Sequence, residues 1–207
     1  MSLAEVDAVP LAIDLREPQI FRKEGTDIAA VVRPRDIGYG TMGLTRADLF
    51  VLYLIRDAYP ERPVFFSRTT GAYAEELGFG SHVLGAGLAR KLLPRAPAAS
   101  DSIRFIPGDG WFDLPTSERM WRGYEAPAEI VERGYWVDKP SANIPYLYVR
   151  SGFLLAQALF DVGRVEDAQR TFEDIRKVAV ASGLEETIPA IPPRPTLPLG
   201  TDTVQRR

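Results

Sequence analysis

The chain has 207 residues and a formal net charge of −3; hydrophobic residues make up 45% of it and charged residues 26%. This balance is typical of an ordinary globular protein and disfavours strong polyanion binding, so we expect no nucleic-acid partner. The sequence contains no cysteine and one histidine, His82, which excludes disulfides, thiol catalysis and cysteine-rich or multi-histidine metal sites. We therefore expect neither a metal nor a cofactor.

Two short apolar runs at the start of the chain predict strands. Residues 10–15 (PLAIDL) and 26–34 (TDIAAVVRP) are partly β-branched and are bounded by proline, glycine or charged residues. The chain is therefore expected to begin with β structure.

A helix is predicted over residues 46–58. Thr45 and Asp48 stand in capping-box spacing before it, and Pro60 follows its end. Its middle, residues 49–55, is apolar all round but far shorter than the ~20 residues that cross a bilayer. We expect burial between layers, with contact to a partner as the alternative.

The segment after this helix predicts a strand, a short helix and another strand. Residues 62–66 (RPVFF) indicate a buried strand, and residues 69–80 (TTGAYAEELGFG) a short helix that a glycine ends. Residues 85–94 (GAGLARKLLP) partly alternate and are assigned to a strand. Residues 94–100 (PRAPAAS) form a proline-punctuated connection and mark the internal boundary.

The second half of the chain turns helical. Residues 102–115 (SIRFIPGDGWFDLP) predict a strand and a turn, and residues 117–124 and 127–135 predict short helices. Two long amphipathic segments, 143–163 and 164–183, predict antiparallel helices with a tight turn.

The last stretch, residues 189–207, contains five prolines and can form neither a helix nor a central strand. We expect it to run extended.

The two long helices resemble one tetratricopeptide repeat. The residues at that family's characteristic positions are Leu155, Ala156, Leu159, Gly163, Val165, Ala168 and Phe172. Ile175 departs from the family, which usually has alanine there, and no proline ends the repeat. A single repeat cannot bury its own face, so this hairpin is expected to lean on the α/β half. A peptide-binding groove on the hairpin is the less favoured alternative.

These patterns predict an α/β (α+β) fold, a small mixed sheet with helices that packs against a C-terminal TPR-like helical hairpin. We divide the chain into an α/β layer over 1–110, a helical layer over 111–188 and the extended tail over 189–207. The two layers are expected to pack as one unit, because a lone helical hairpin has too little core to stand alone.

Three stretches together resemble a larger family. They are LTRADLFVLYLIRDAYPERPVFFSRTTG (44–71), ELGFGSHVLGAGLARKLLP (76–94) and LLAQALFDVGRVEDAQRTF (154–172). The chain over about 45–180 resembles the C-terminal soluble region of a bacterial family of multi-pass membrane proteins. That family is related to membrane-embedded GT-C glycosyltransferases and to a eukaryotic transmembrane protein O-mannosyltransferase.

The resemblance implies an accessory role. The catalytic acid of GT-C enzymes lies in a loop near the start of their membrane region, which this chain does not contain, so no catalytic residue carries over. The implied function is a non-catalytic soluble accessory domain that positions an acceptor polypeptide or holds a partner protein. The implied location is the outer, periplasmic face of a bacterial membrane, with membrane contact only through an N-terminal part of the parent.

The turn SRTTGAY, residues 67–73, is the best local candidate for a binding site. A strand that delivers Arg68, Thr69 and Thr70 to a helix N-terminus would hold an anion on free backbone amides, with Tyr73 beside it. The segment lacks the glycine–lysine pattern of a phosphate-binding loop. The plainer interpretation is that a threonine caps the helix and Arg68 is solvated.

Two further candidates are Asp109 with Trp111, and His82. The segment PGDGWFD pairs acidic residues with aromatic residues, as sugar-binding loops do, although a turn that carries core aromatics is the plainer interpretation. His82 is the only imidazole that could act as the base for a serine nucleophile. The alternative is that it is a hydrogen-bonded loop histidine. The acidic residues of VEDAQRTFEDIRK (165–177) lie beside basic residues at helical spacings and indicate a solvated helix face, not a metal site.

Two functions of different class remain open. One is the accessory domain that the resemblance implies. The other is a free-standing α/β protein that binds a small anionic ligand near residues 67–73.

Overall fold

The structure is a computed structural model that describes residues 7–188. It confirms the predicted fold class, since strands and six helices combine in an α+β architecture with a mixed sheet. Residues 189–207, predicted to run extended, lie outside the described residues.

Two small antiparallel sheets form the N-terminal layer. Their strands are β1 (Ala12–Asp14), β2 (Gln19–Arg22), β3 (Ala29–Val32), β4 (Arg35–Asp36) and β5 (Met42–Thr45). Strand β5 lies between β1 and β4, and β2 pairs with β3 as a hairpin. The predicted strands at 10–15 and 26–34 are therefore confirmed as β1 and β3, whereas β2, β4 and β5 were not predicted.

A five-stranded mixed sheet forms the centre. Its strands are β6 (Phe65–Ser67), β7 (Val83–Ala86), β8 (Ala89–Leu92), β9 (Ile103–Ile106) and β10 (Gly110–Asp113), in the order β6-β8-β7-β10-β9. Only the β7–β10 pairing is parallel among these neighbours. The division predicted between residues 110 and 111 falls inside β10, and as a domain division it stays a prediction.

Within residues 7–188 the structure gives the bounds of six helices: α1 (Arg46–Ala58), α2 (Tyr73–Glu76), α3 (Leu114–Gly123), α4 (Ala126–Arg133), α5 (Asn143–Asp161) and α6 (Val165–Ser182). Helix α1 has the predicted bounds and the predicted capping box, because Thr45 and Asp48 each accept from the other's backbone N–H. Its apolar middle is not buried all round: Leu49, Leu52 and Ile55 face the core, whereas Leu54 is 40% exposed.

Three predicted elements differ from the structure. The strand predicted at 62–66 begins later, at Phe65, and is an edge strand whose side chains alternate between buried and exposed. The helix predicted at 69–80 shrinks to a 3₁₀ turn over Arg68–Thr70 and the four residues of α2.

The strand predicted at 85–94 is instead part of the β7–β8 hairpin, which turns at Gly87. Gly87 has φ +52°, and an added Cβ there would lie 2.2 Å from the Tyr124 hydroxyl. Glycine is required at this turn by its backbone conformation and by the close approach of Tyr124.

The α5–α6 hairpin has the predicted form. Gly163 makes the turn and Gly183 caps α6 in the left-handed conformation. Leu155, Leu159 and Ile175 are buried. Sheet residues Ile106 and Phe112 pack in one cluster with Leu154, Leu155 and Leu159. The sheet and the helical hairpin are therefore joined by a continuous hydrophobic core.

Candidate functional site

A cleft of about 600 Å³ opens where the central sheet, the turn before α2 and the first half of α5 meet. We call it the arginine cleft, because three guanidinium groups, those of Arg68, Arg90 and Arg150, lie in its wall beside the carboxylates of Glu75 and Asp109. Tyr146 and Leu147 line its α5 side. Clefts of this volume hold small-molecule ligands in many proteins.

Arg68 and Asp109 form a buried ion pair in this cleft. Arg68 Nη1 and Nη2 donate to the two carboxylate oxygens of Asp109 over 2.8 Å and 3.0 Å, and Arg68 Nε donates to the Gly87 carbonyl over 2.7 Å. Each side chain of the pair is only 4% exposed. The interpretation of Arg68 as a solvated residue is therefore wrong. Arg68 follows directly after β6, and its side chain is buried in the ion pair with Asp109.

The pKa of Asp109 is lowered by this arrangement. Burial by itself would raise the pKa of the carboxyl group, but the hydrogen bonds and positive charges of Arg68 and Arg150 outweigh burial and hold the pKa below its usual range. Asp109 is thus a carboxylate at neutral pH and is not suited to serve as a general acid.

Arg90 lies in the same wall. It donates to the Gly71 carbonyl and to Glu75, and its side chain is only 8% exposed. Its Nε is buried and has no hydrogen-bond partner within residues 7–188. A buried unpaired donor costs free energy, and because this N–H is closed to solvent, a ligand in the cleft does not reach it.

Arg150 is the accessible cation of the cleft. It projects from α5, its Nη2 donates to Asp109 Oδ1 over 3.1 Å, and its side chain is 42% exposed. Tyr146 lies one helical turn earlier on the same side of α5 and is partly exposed. The cleft mouth thus carries one partly free guanidinium beside an aromatic ring.

Thr69 and Thr70 do not form the predicted anion site. The Thr69 hydroxyl and amide both point to Ser67 Oγ, and the Thr70 hydroxyl donates to the Ser67 carbonyl. Helix α2 has only four residues and no side-chain cap, so its N-terminus offers little of the dipole that the prediction required. Of the residues predicted in this turn, Arg68 reaches the cleft.

Tyr73 faces away from the cleft, toward α1. Its hydroxyl donates to Asp48 Oδ1 over 2.9 Å, and its ring lies against the Arg35 guanidinium. Burial and the negative Asp48 raise the pKa of Tyr73 well above its usual range. Tyr73 therefore takes part in the buried network that fixes the start of α1.

His82 joins the N-terminal layer to the central sheet. Its Nε2 lies 2.9 Å from Asp27 Oδ1, and its Nδ1 lies 3.0 Å from Ser81 Oγ. A hydroxyl, an imidazole and a carboxylate thus stand in series. None of the three residues lines the arginine cleft, and Ser81 directly precedes His82 in the chain. We interpret this series of three side chains as a structural contact that holds the N-terminal layer against the central sheet.

Trp111 lies on the opposite face of the central sheet from the cleft. Strand pairing sets Phe65, Lys91, Leu84, Trp111 and Phe105 side by side across all five strands. Phe65 and Phe105 are 58% and 57% exposed, and the Phe105 and Trp111 rings meet edge to face with centroids 5.4 Å apart. We call this line of side chains the aromatic row.

The predicted sugar-binding loop is therefore divided between two faces. An added Cβ at Gly85 would lie 2.8 Å from Arg68 Nη2, which places the Arg68–Asp109 pair on the face that carries Gly85 and Phe112. Phe112 is fully buried and Asp113 caps α3, so neither is exposed beside Trp111 as the pattern suggested.

The cleft residues that the sequence did not single out are Glu75, Arg90, Tyr146 and Arg150. For Arg90 a signal existed, because in the alternating strand ARKL it shares a face with the buried Leu92. Arg150 gave no signal, since an arginine on a long amphipathic helix is ordinary.

Within residues 7–188, no group of acidic and histidine residues is placed to hold a metal ion. No helix in the described part of the chain combines the length and the hydrophobicity that crossing a membrane requires. Two acidic residues of α6 pair with basic neighbours, Asp167 with Arg170 and Asp174 with Lys177, which agrees with a solvated helix face.

Comparison of the chain with protein-family models, with curated proteins and with solved structures found no match.

Proposed function

We propose that this chain is a non-catalytic accessory domain of a membrane glycosyltransferase-like protein, in which it holds an acceptor polypeptide or a partner protein. The observation that carries the binding role is the aromatic row on the open face of the central sheet. The membrane setting comes from the resemblance of residues 45–180 to the soluble region of such proteins.

The aromatic row has the chemistry of a protein-binding surface. Phe65 and Phe105 expose more than half of their surface although each sits in a strand, and Phe105 packs edge to face against the neighbouring Trp111 ring. Exposed apolar side chains that lie together mark interaction sites. Aromatic residues are also enriched at the core of protein interfaces. The exposed Lys91, next to Phe65 in the row, adds one positive charge. The row therefore suits an extended polypeptide segment with apolar side chains and an acidic residue opposite Lys91.

The ionisable groups of the chain support the absence of catalysis. The carboxylates of the arginine cleft are held by guanidinium groups, and Ser81, His82 and Asp27 stand outside that cleft. A general acid or base needs a pKa near the working pH and contact with a bound substrate. We expect no hydrolase or transferase turnover from this chain by itself. Turnover that disappears in His82→Ala or Ser81→Ala would contradict this.

The proposed membrane setting is tested by reading the gene upstream of the given sequence. An accessory domain requires a long hydrophobic N-terminal extension in the same reading frame, upstream of residue 4, and a free-standing protein forbids one. The proposal also places the domain on the periplasmic side of the membrane. A reporter enzyme that is active only in the cytoplasm, fused after Arg207 of the full-length parent, is expected to be inactive. Strong reporter activity would contradict the proposed periplasmic location and would not bear on the proposed binding role.

The polypeptide-binding role is tested by site-specific cross-linking in the full-length parent. A photoreactive phenylalanine analogue replaces Phe105 in the aromatic row, and the matched control carries it at Tyr39, which is fully exposed in the β4–β5 turn of a different sheet. We expect position 105 to cross-link to a polypeptide that carries the parent's sugar, and position 39 not to do so. Equal yields at both positions, or no polypeptide adduct at position 105, would reject the role of the row.

The second candidate function is a free-standing protein that binds a small anionic ligand near residues 67–73. The arginine cleft favours it, because Arg68 lies in the wall and Arg150 has donors to spare. The gene test above separates this candidate from the first.

A further inference from the structure

We propose that the arginine cleft is a binding site for a small ligand that carries one carboxylate group. The carboxylate is held by Arg150 at the mouth, and the body of the ligand lies against Tyr146 and Leu147. The proposal rests on the small-ligand role named above as the second candidate function, and it names the class of that ligand. This site is separate from the aromatic row, and its existence does not depend on a membrane parent or on an acceptor polypeptide.

The net charge of the cleft favours a ligand that carries a single negative charge. Three guanidinium groups face two carboxylates, which leaves one positive charge in excess. Asp109 is neutralised by the two-pronged contact of Arg68, and Glu75 is neutralised by Arg90. The excess charge therefore belongs to Arg150. A monocarboxylate balances it, whereas a dianionic phosphate would leave a net negative charge in a partly buried site.

Arg150 has the donors that a carboxylate needs. A guanidinium group carries five N–H donors in a planar fork that matches a carboxylate. The described contact of Arg150 is one hydrogen bond, from Nη2 to Asp109 Oδ1, and more than a third of the side chain is open to solvent. Arg68 fixes the position of Asp109, and through Asp109 it steadies the fork of Arg150.

Arg90 holds the cleft wall in place. Its side chain is more than nine-tenths buried, and it donates to the Gly71 carbonyl and to Glu75. Its Nε has no hydrogen-bond partner among the described residues but is closed to solvent, so a ligand in the open cleft does not reach it. The donors that the cleft offers to a ligand are therefore those of Arg150.

The walls leave room for the ligand body. Gly71 and Gly108 line the cleft, and an added Cβ at either residue would meet no atom within 4 Å. The α5 side offers the partly exposed ring of Tyr146 with Leu147 beside it. A flat apolar wall beside a cationic mouth is suited to an aromatic acid or to the apolar face of a uronic acid sugar.

The test uses the whole 207-residue chain and titrates it with four probes, followed by the amide shifts of the cleft residues in NMR spectra. D-glucuronate and benzoate each carry one carboxylate on a different body, D-glucose is the neutral match of the first, and inorganic phosphate is the competing anion. We expect the two carboxylates to cause saturable shifts at Gly71, Gly108 and Arg150, and D-glucose to cause none. The stronger of the two carboxylates identifies the ligand body as sugar or aromatic.

Arg150→Gln is expected to weaken carboxylate binding by about tenfold or more, because it removes the charged fork. The matched control is Arg122→Gln, which changes an exposed arginine of α3 that pairs with Glu118 and leaves the cleft untouched. Arg150→Lys keeps the charge without the fork and is expected to fall between the wild-type protein and Arg150→Gln. Thermal unfolding of each variant verifies that it is folded.

Tyr146→Ala tests the contact with the ligand body separately from the contact with the ligand's charge. It should weaken benzoate binding several-fold while acetate binding stays as it is, since acetate has no body to place against the ring. The proposal is overturned if neither carboxylate gives saturable shifts in the cleft, if phosphate binds more tightly than both, or if Arg150→Gln and Arg122→Gln bind the carboxylates equally well.

Discussion

Arg68 and Asp109, 41 residues apart in the chain, form a two-pronged ion pair that is almost completely withdrawn from solvent. The pair connects the end of strand β6 to the β9–β10 turn, and Arg150 of α5 joins it through the same carboxylate. A charged contact therefore lies where the sheet meets the helical hairpin. It stabilises this junction and also forms the wall of the proposed binding site.

We predict that Asp109→Asn destabilises the protein by about 3 kcal/mol, because it leaves the buried Arg68 without its counter-charge. Urea unfolding followed by circular dichroism measures the change. The control is Asp174→Asn, which breaks an exposed pair with Lys177 and should cost less than about 1 kcal/mol. Equal losses for the two variants would show that burial of the Arg68–Asp109 pair contributes nothing to stability.

The same pair makes stability depend on pH. The pKa of Asp109 is lower in the folded protein than its ordinary value, so the folded state favours the charged form. The resulting stabilisation is present above the unfolded pKa, about 3.9, and is lost as the pH falls through the folded pKa. We expect the stability gap between wild-type protein and Asp109→Asn to be constant from pH 7 to about pH 5 and to narrow at lower pH. A gap that is as wide at pH 3 as at pH 7 would contradict the lowered pKa.

Tyr73→Phe is predicted to lower stability by about 1 kcal/mol and to leave carboxylate binding in the cleft unchanged. The substitution removes the hydroxyl that donates to the buried Asp48, which also caps α1 and pairs with Arg35. Chemical denaturation measures the stability, and the benzoate titration measures the binding. A loss of binding in folded Tyr73→Phe would return this residue to the candidate site.

Gly152 marks a second place where close packing decides stability. An added Cβ there would lie 2.6 Å from the Trp121 ring and 2.7 Å from an Ile175 side-chain carbon. We predict that Gly152→Ala costs about 1–3 kcal/mol, since it forces α3, α5 and α6 apart. Gly123→Ala serves as the control, because a Cβ at Gly123 meets no atom within 4 Å and alanine favours the helix. The prediction fails if both variants unfold at the same denaturant concentration.

Local sequence signals were sufficient for the elements that end at strong caps. Helix α1 has its predicted bounds because Thr45, Asp48 and Pro60 act within one turn of its ends, and the α5–α6 turn follows from Gly163 in the same way. Three short strands, β2, β4 and β5, were missed. Strand β4 is held by its pairing with β5 and carries no periodic pattern of its own.

The candidate site could be predicted only in part for a related reason. Arg68 and Asp109 were singled out separately, but nothing near either residue shows that their side chains meet. Burial of an arginine runs against its usual exposure, and it becomes favourable here only because a carboxylate arrives from a distant turn. The direction of Trp111 likewise depends on the register of β10 against β7 and β9.

The last prediction concerns the connection at residues 94–100, which is largely exposed and has no helix or strand. Cleavage there should leave the two fragments associated. Strand β10, from the second fragment, pairs in parallel with β7 of the first, and Asp109 of the second fragment forms the buried ion pair with Arg68 of the first.

The first fragment would otherwise expose the edge of β7 and lose the partner of Arg68. A protease site placed at Ala98 allows clean cleavage, and gel filtration under native conditions reports whether the fragments separate. We expect one peak at the mass of the intact chain and separation only in denaturant. Two folded fragments that elute apart in native buffer would show that the parts of the chain before and after residue 98 are independent units.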